Sequence, residues 1–162
     1  MPATAIDTYA ATNPALCAII LRAYIEGFAK SNPNGLPFPL ILLPIPIVLN
    51  SDIVKMFEKT KGSTGLIPWI DRNPEVTVGF AQRVQDTAEY SRAGLLFGAR
   101  YGVFEINRAG RVTLKPDGLT KKTTSIKAPY IANAIRLADR FGTWVGKAGN
   151  PETILVALGV NR

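Results

Sequence analysis

The spacing of apolar side chains along the chain changes at Gly102. Before it, Tyr90, Phe97 and Tyr101 lie at helical spacing. After it, residues 103–106 and 111–115 have the composition of two short strands, and residues 107–110 that of a hairpin loop. Because glycine adopts the left-handed helix cap at little cost, the pattern predicts a helix ending near Tyr101 that leads directly into a two-stranded wing. This helix-plus-wing unit spans residues 88–115, and the wing about residues 103–115.

Three of the four Asn-Pro pairs, at residues 13, 73 and 150, mark the start of apolar-periodic runs. The asparagine side chain accepts a hydrogen bond from a free amide of the first turn, and proline has its φ angle preset for the first helical position. The predicted helices cover residues 14–30, 51–58, 66–72, a long region from 74 to 101 with a candidate break near residues 86 and 87, a helix from 129 through Trp144, and a last helix from 151.

Two glycines, Gly94 and Gly98, lie four residues apart on one face of the long helical region. Glycine inside a helix costs about 1 kcal/mol relative to alanine. Their presence therefore predicts the close approach of another helix.

Residues 36–49 are apolar but contain four prolines. Proline cannot donate to a strand ladder, so the segment is predicted to be an edge strand or an extended arm packed on other elements. The alternative is a surface for a partner, with Pro37, Phe38, Pro39 and Leu40 as the candidate binding residues. The segment is too short and too proline-rich to span a membrane.

These elements predict a single α+β domain over residues 1–162, mostly helical, with a winged-helix-like core and an extended proline-rich segment. Residues 1–12 are expected to be flexible. The chain has 162 residues, enough to bury about two-thirds of its unfolded surface. Its apolar fraction of 47% favours a buried partner interface. No signal peptide is recognisable, which favours a soluble protein in the cytoplasm.

The formal charge of +7 belongs to the second half of the chain. Residues 1–81 balance six basic with six acidic side chains, whereas residues 82–162 have thirteen basic and six acidic ones. Basic side chains bind phosphates without sequence preference by releasing counterions. A solvated basic face is the alternative. The candidate DNA-binding residues are Arg92, Arg100, Arg108, Arg111, Lys115, Lys121, Lys122 and Lys127.

The composition argues against catalysis. The chain has no histidine, so it lacks the commonest general base and the usual zinc ligands. Cys17 falls in the apolar stripe of the first helix, which favours a packing role over that of a nucleophile. The carboxylates occur singly, and no phosphate-binding loop matches a known spacing. We expect no enzymatic activity, no metal and no cofactor.

Several short motifs occur in an order that resembles one family. Together they cover about residues 11–160 and lie at residues 13–18 (NPALCA), 37–40 (PFPL), 78–81 (VGFA), 94–98 (GLLFG) and 155–160 (LVALGV). The order resembles the middle component of bacterial three-component ABC systems, the group that includes the Lamassu anti-phage defence.

The resemblance implies a non-catalytic adaptor that sits with an SMC-like or Rad50-like ABC ATPase and an effector, commonly a nuclease. In that reading the ATPase senses foreign DNA, often its ends, and the middle subunit couples the ATPase to restraint and release of the effector. Double-stranded DNA is then an expected partner through the complex. Two rivals come from the residues themselves: a free winged-helix transcription regulator, and, more weakly, an enzyme that uses isolated carboxylates.

Overall fold

The structure is a computed structural model that describes residues 8–116 and 128–160. Its helices are α1 (Thr8–Ala11), α2 (Pro14–Ala29), α3 (Pro44–Val48), α4 (Ser51–Lys55), α5 (Leu66–Arg72), α6 (Phe80–Arg100), α7 (Pro129–Lys147) and α8 (Pro151–Ala157), with 3₁₀ turns at Phe38–Leu42 and Pro74–Thr77. The strands are β1 (Leu36–Pro37), β2 (Phe104–Ile106) and β3 (Arg111–Leu114). The prediction of a mostly helical α+β chain is confirmed.

Helix α2 holds the fold together by packing against both long helices, α6 and α7. Gly94 of α6 lies so close to α2 that an added Cβ would come within 2.6 Å of the Cys17 Cβ, which confirms the predicted close helix approach there. The prediction was wrong for Gly98, because its neighbour is the ring of Phe104 on β2 rather than a helix. At Gly142 of α7, an added Cβ would likewise clash with the Tyr24 carbonyl of α2.

Asparagine caps begin the helices as the sequence predicts at two of the three Asn-Pro pairs. The Asn13 Oδ1 accepts from the Leu16 amide at 3.2 Å, and the Asn150 Oδ1 accepts from the Thr153 amide at 2.9 Å. At Asn73 the side chain makes no cap, and the next residues form only a 3₁₀ turn. The long helix α6 starts later, at Phe80, because the φ of +68° at Gly79 lies outside the right-handed helical range.

The candidate break near residues 86 and 87 is absent, since α6 is continuous through both. The side chain of Thr87 points inward and its hydroxyl donates to the Arg83 carbonyl one turn earlier, at 2.9 Å. On the outer face, the Gln82 amide donates to the Asp86 carboxylate at 2.8 Å. Both bonds satisfy polar groups within the helix, so the helix has no reason to end here.

The proline-rich segment is neither an extended arm nor, for most of its length, a strand. Only Leu36 and Pro37 pair in the sheet, and a 3₁₀ turn and α3 follow. Pro39 and Pro44 occupy first-turn positions of these short helices, where the missing amide hydrogen is not needed. Ten of its fourteen residues are buried, so packing is the role of most of the segment, while Phe38 and Pro39 are exposed.

The three strands form one antiparallel sheet in the order β1-β3-β2. Phe104 pairs with Leu114 and Ile106 with Val112, while Leu36 of β1 pairs with Val112 from the other side. Tyr101 ends α6, and Gly102 has a φ of +75°, as the change of periodicity predicts. The predicted helix followed by a hairpin is therefore confirmed.

The short helices close the core around an aromatic cluster. Trp69 and Trp144 are both fully buried, and their ring centroids lie 5.4 Å apart with Phe57 beside them. The indole of Trp144 donates to the Lys61 carbonyl at 3.0 Å. The Trp69 indole donates to the Met56 carbonyl at 2.8 Å, so both buried indoles are hydrogen-bonded.

At the start of the described residues, Thr8–Ala11 form α1, and Ala10 and Ala11 are buried. Within the described ranges, no helix combines the length and apolar character needed to cross a membrane.

Candidate nucleic-acid and partner interface

A four-residue turn shapes the tip of the hairpin. The Asn107 Oδ1 accepts from the amides of Ala109 and Arg111 at 3.0 and 3.1 Å, and Gly110 has a φ of +73°. The Asn107 amide donates to the Arg111 carbonyl at 2.9 Å and closes the hairpin. The side chain of Arg108 is exposed on this ordered turn, where it can reach an external anion.

Arg111 has a structural role that the sequence did not reveal. Its guanidinium is half-buried, and Nη1 donates to the Gly35 carbonyl at 3.2 Å. It thereby ties β3 to the turn that precedes β1. Only the remaining N–H groups of the Arg111 guanidinium are therefore available for a contact with DNA.

The other candidate cations lie at the base of the hairpin and along α6. Lys115 follows β3, and its amide donates to the Val103 carbonyl at 2.9 Å, so it lies at the opposite end of the hairpin from Arg108. The three residues of β2 separate the two ends by roughly 10 Å. Lys121, Lys122 and Lys127 lie outside the described residues.

Arg92 and Arg100 are exposed on α6 with Leu96 midway between them, each one turn from the next. Leu96 is 71% exposed, and Tyr101, just past the end of the helix, is 65% exposed. The Tyr101 ring contacts the half-buried Phe97 ring at a centroid distance of 4.6 Å. We name Leu96, Phe97 and Tyr101 the α6 apolar patch; two arginines border it.

The helical spacing of the apolar residues did not predict this patch, because the helix period does not state which apolar side chains another element covers. A signal was available in the spacing of four between Arg92, Leu96 and Arg100. A residue that shares a helix face with two arginines is expected at the surface.

The candidate partner residues in the proline-rich segment do not act as a set. Leu40 is fully buried, and its carbonyl accepts from the Tyr24 hydroxyl at 2.9 Å. Pro37 is paired with Arg111 in the sheet. Phe38, at 37% exposure, and the exposed Pro39 are the members that an external partner can reach.

The described residues show no grouping of three or more acidic or cysteine side chains suited to a metal ion. Cys17 is fully buried, and its thiol donates to the Ala11 carbonyl at 3.3 Å. Burial raises the pKa of this thiol to about 11, so it stays protonated near neutral pH. The position supports packing as the role of Cys17.

Comparison with known proteins gives one match. A family model described as the ABC-three component (ABC-3C) system Middle Component 3 matches residues 5–162. No curated protein and no solved structure matches the chain significantly.

Proposed function

The chain belongs to the Middle Component 3 family of ABC-three component systems, and from that premise we propose that it is a non-catalytic adaptor. It binds an SMC-like or Rad50-like ABC ATPase and couples the sensing of double-stranded DNA to an effector such as a nuclease, in the manner of Lamassu-type anti-phage defence. The match over residues 5–162 is the observation that carries this proposal.

The α6 apolar patch is the proposed docking surface for the ATPase. Interfaces often combine a central apolar or aromatic anchor with a polar rim. Leu96 and Tyr101 have the character of such anchors, and Arg92 and Arg100 border them. A partner surface with an apolar centre and acidic margins complements this arrangement. Phe38 and Pro39 are a second proposed contact.

The hairpin is the proposed contact with DNA in the assembled complex. Arg108 at its tip and Lys115 at its base are both exposed. The other two exposed candidates on described residues, Arg92 and Arg100, border the α6 apolar patch and are assigned to the ATPase surface. Lys121, Lys122 and Lys127 follow the hairpin in sequence and belong to the same proposal. Such contacts supply affinity without reading the DNA sequence.

A free winged-helix transcription regulator is the alternative. The continuous α6, the hairpin and the third strand favour it. In that function the exposed face of α6 would enter the major groove. Asp86 and Glu89 are exposed on α6 and would meet phosphates with like charge, so the geometry supports the adaptor better.

The two surfaces can be separated by mutation in a co-expressed complex. We expect Leu96→Glu to abolish co-purification of the ATPase, because it places a charge on the most exposed apolar side chain of the patch. Val78→Glu is the matched control: Val78 is equally exposed but lies roughly 27 Å away, beyond the other end of α6. Retention of the ATPase by L96E, or its equal loss in V78E, would contradict the docking surface.

The double variant Arg108→Gln/Lys115→Gln should leave assembly intact and weaken DNA binding equally for all sequences. Two lost phosphate contacts should reduce the slope of log affinity against log salt by about 1.8. The measurement is a fluorescence-anisotropy titration of the complex at several salt concentrations. An unchanged slope together with a lost subunit would assign the hairpin to a protein interface instead.

A further inference from the structure

A cleft separate from these surfaces opens between α7 and the segment that begins in α4. Its volume is about 340 Å³, and no residue of α6 or of the hairpin lines it. Phe57 and Leu137, both almost fully buried, lie at its floor, and Lys55, Lys59, Arg136 and Arg140 contribute positive charge. We name these four cations with their two apolar neighbours the basic cleft.

The positive charge of the basic cleft is poorly compensated. In the part of the chain that the structure describes, Lys59, Arg136 and Arg140 form no salt bridge, and Glu58 is the only carboxylate lining the cleft. The one nearby acidic residue of α7, Asp139, already pairs with Lys30 at 3.2 Å. Lys55 has only a loose contact of 4.0 Å with Asp52.

The two arginines share one face of α7, four residues apart, where like charges destabilise a helix. Partial burial and the charge of Arg136 both lower the pKa of Arg140, and Asp139 opposes them. Neutral groups hold both side chains in place: Arg140 Nη1 donates to the Thr60 hydroxyl at 3.1 Å, and Arg136 donates to the Asn133 side chain. The repulsion is therefore built into an ordered site.

A tight turn after α4 places Lys59 at the cleft. Lys59 has a φ of +64°, and it is the only non-glycine residue with positive φ among those described. The Thr60 amide and hydroxyl both donate to the Phe57 carbonyl, at 3.1 and 2.6 Å, and hold the turn. The ammonium group of Lys59 thereby belongs to a residue whose backbone is fixed and that lines the cleft.

We propose that the basic cleft binds a phosphate ester of mononucleotide size. Small-molecule sites have volumes from about 300 Å³ upward, so the cleft suits a small ligand. Guanidinium groups bind phosphate oxygens through paired hydrogen bonds, and a phosphate monoester has enough acceptors for several cations at once. A cleft of this volume has room for an organic group beside the phosphate, which favours an ester over free phosphate.

The test is isothermal titration calorimetry of the full chain with AMP, UMP and inorganic phosphate. We expect AMP or UMP to bind more tightly than inorganic phosphate. Arg136→Gln and Lys59→Gly should each weaken nucleotide binding about tenfold, the effect of losing one charged hydrogen bond. Lys147→Gln removes one charge from the same helix outside the cleft and should change the affinity less than about twofold.

Lys59→Gly also tests whether a loss of affinity results only from a less stable fold. Glycine relieves the strain at this position, so the variant should unfold at the same temperature as the original chain or a higher one while it loses affinity. A chain that binds none of the three probes would overturn the proposal. So would K59G and R136Q binding with unchanged affinity, or an equal loss in K147Q, which would indicate a diffuse positive field.

This inference goes beyond the proposed adaptor function. The variants R136Q and K59G leave the α6 apolar patch and the hairpin untouched. Loss of nucleotide binding with intact ATPase co-purification therefore distinguishes the basic cleft from the proposed adaptor surfaces.

Discussion

Individual arginines in the basic half of the chain hold backbone in place as well as adding charge. Arg83 donates to the carbonyls of Val76 and Val78 at 2.8 and 2.9 Å, across the turn that precedes α6. Arg111 does the same for Gly35. A count of basic residues therefore overstates how many cations can meet a phosphate, since a guanidinium bound to a carbonyl has fewer donors to offer.

Cys17 provides a residue-scale prediction. Its pKa is raised from 9.0 to about 11, which lowers the thiolate fraction at pH 8 about 100-fold, and full burial blocks access as well. We expect no reaction of the native chain with a thiol reagent at pH 8, and stoichiometric reaction after unfolding in guanidinium. The measurement is the absorbance of released thionitrobenzoate.

The same raised pKa has a consequence for stability. The folded state favours the protonated thiol. The contribution of Cys17 to the free energy of unfolding is therefore complete below about pH 9 and declines as the pH rises toward 11. Rapid labelling of the native chain at pH 8 would contradict the buried position.

At the scale of elements, the long helices are held by close backbone contact. Gly142 lies against the Tyr24 carbonyl of α2, where even a methyl group has no room. The atoms nearest to an added Cβ are the Tyr24 carbonyl and the Phe28 amide nitrogen, which are both backbone. Neither helix can therefore make room by rotating a side chain. The pairing of α2 with α7 therefore depends on glycine at this position.

Gly142→Ala should destabilise the fold by about 1–3 kcal/mol, since overpacking outweighs the gain of about 1 kcal/mol in helix propensity. The measurement is chemical denaturation followed by circular dichroism. Gly62→Ala is the control: nothing lies within 4 Å of its added Cβ, and we expect no loss and a gain of up to about 1 kcal/mol. Equal effects of the two substitutions would show that the helices are not in close contact.

At the scale of the whole molecule, one hydrophobic cluster connects nearly every element. It includes Cys17 of α2, Ile45 of α3, Trp69 of α5, Phe104 of β2 and Trp144 of α7. The hairpin and the short helices therefore share a core with the long helices. An element that shares a core in this way is expected to unfold together with the rest.

We expect a single cooperative unfolding transition for the isolated chain. Trp69 and Trp144 are buried in the aromatic cluster and report tertiary packing, whereas far-ultraviolet circular dichroism reports mainly the long helices. The midpoints from tryptophan fluorescence and circular dichroism should coincide within error. Two separated midpoints would show that the short helices unfold independently of α2, α6 and α7.

The sequence by itself determined the local features of this chain. Each of these features depends on residues within a few positions of each other, so it can be read from spacing and residue type. They are the helix starts at Asn13 and Asn150, the end of α6 before Gly102, the hairpin turn and the inward position of Cys17. The ordered motifs also led to the family that the match over residues 5–162 shows.

Only the tertiary structure decided which polar and apolar groups meet over long stretches of sequence. Arg111 reaches Gly35 across 76 residues, and Arg140 reaches Thr60 across 80. These contacts make Arg111 a structural residue and assemble the basic cleft. Arg111 lies on β3, which packs against α2, and Arg140 lies on α7, which also packs against α2. Helix α3 of the proline-rich segment is buried against α2, α6 and α7. A local pattern cannot specify such packing, because the helix period states which face is apolar but not which element will cover it.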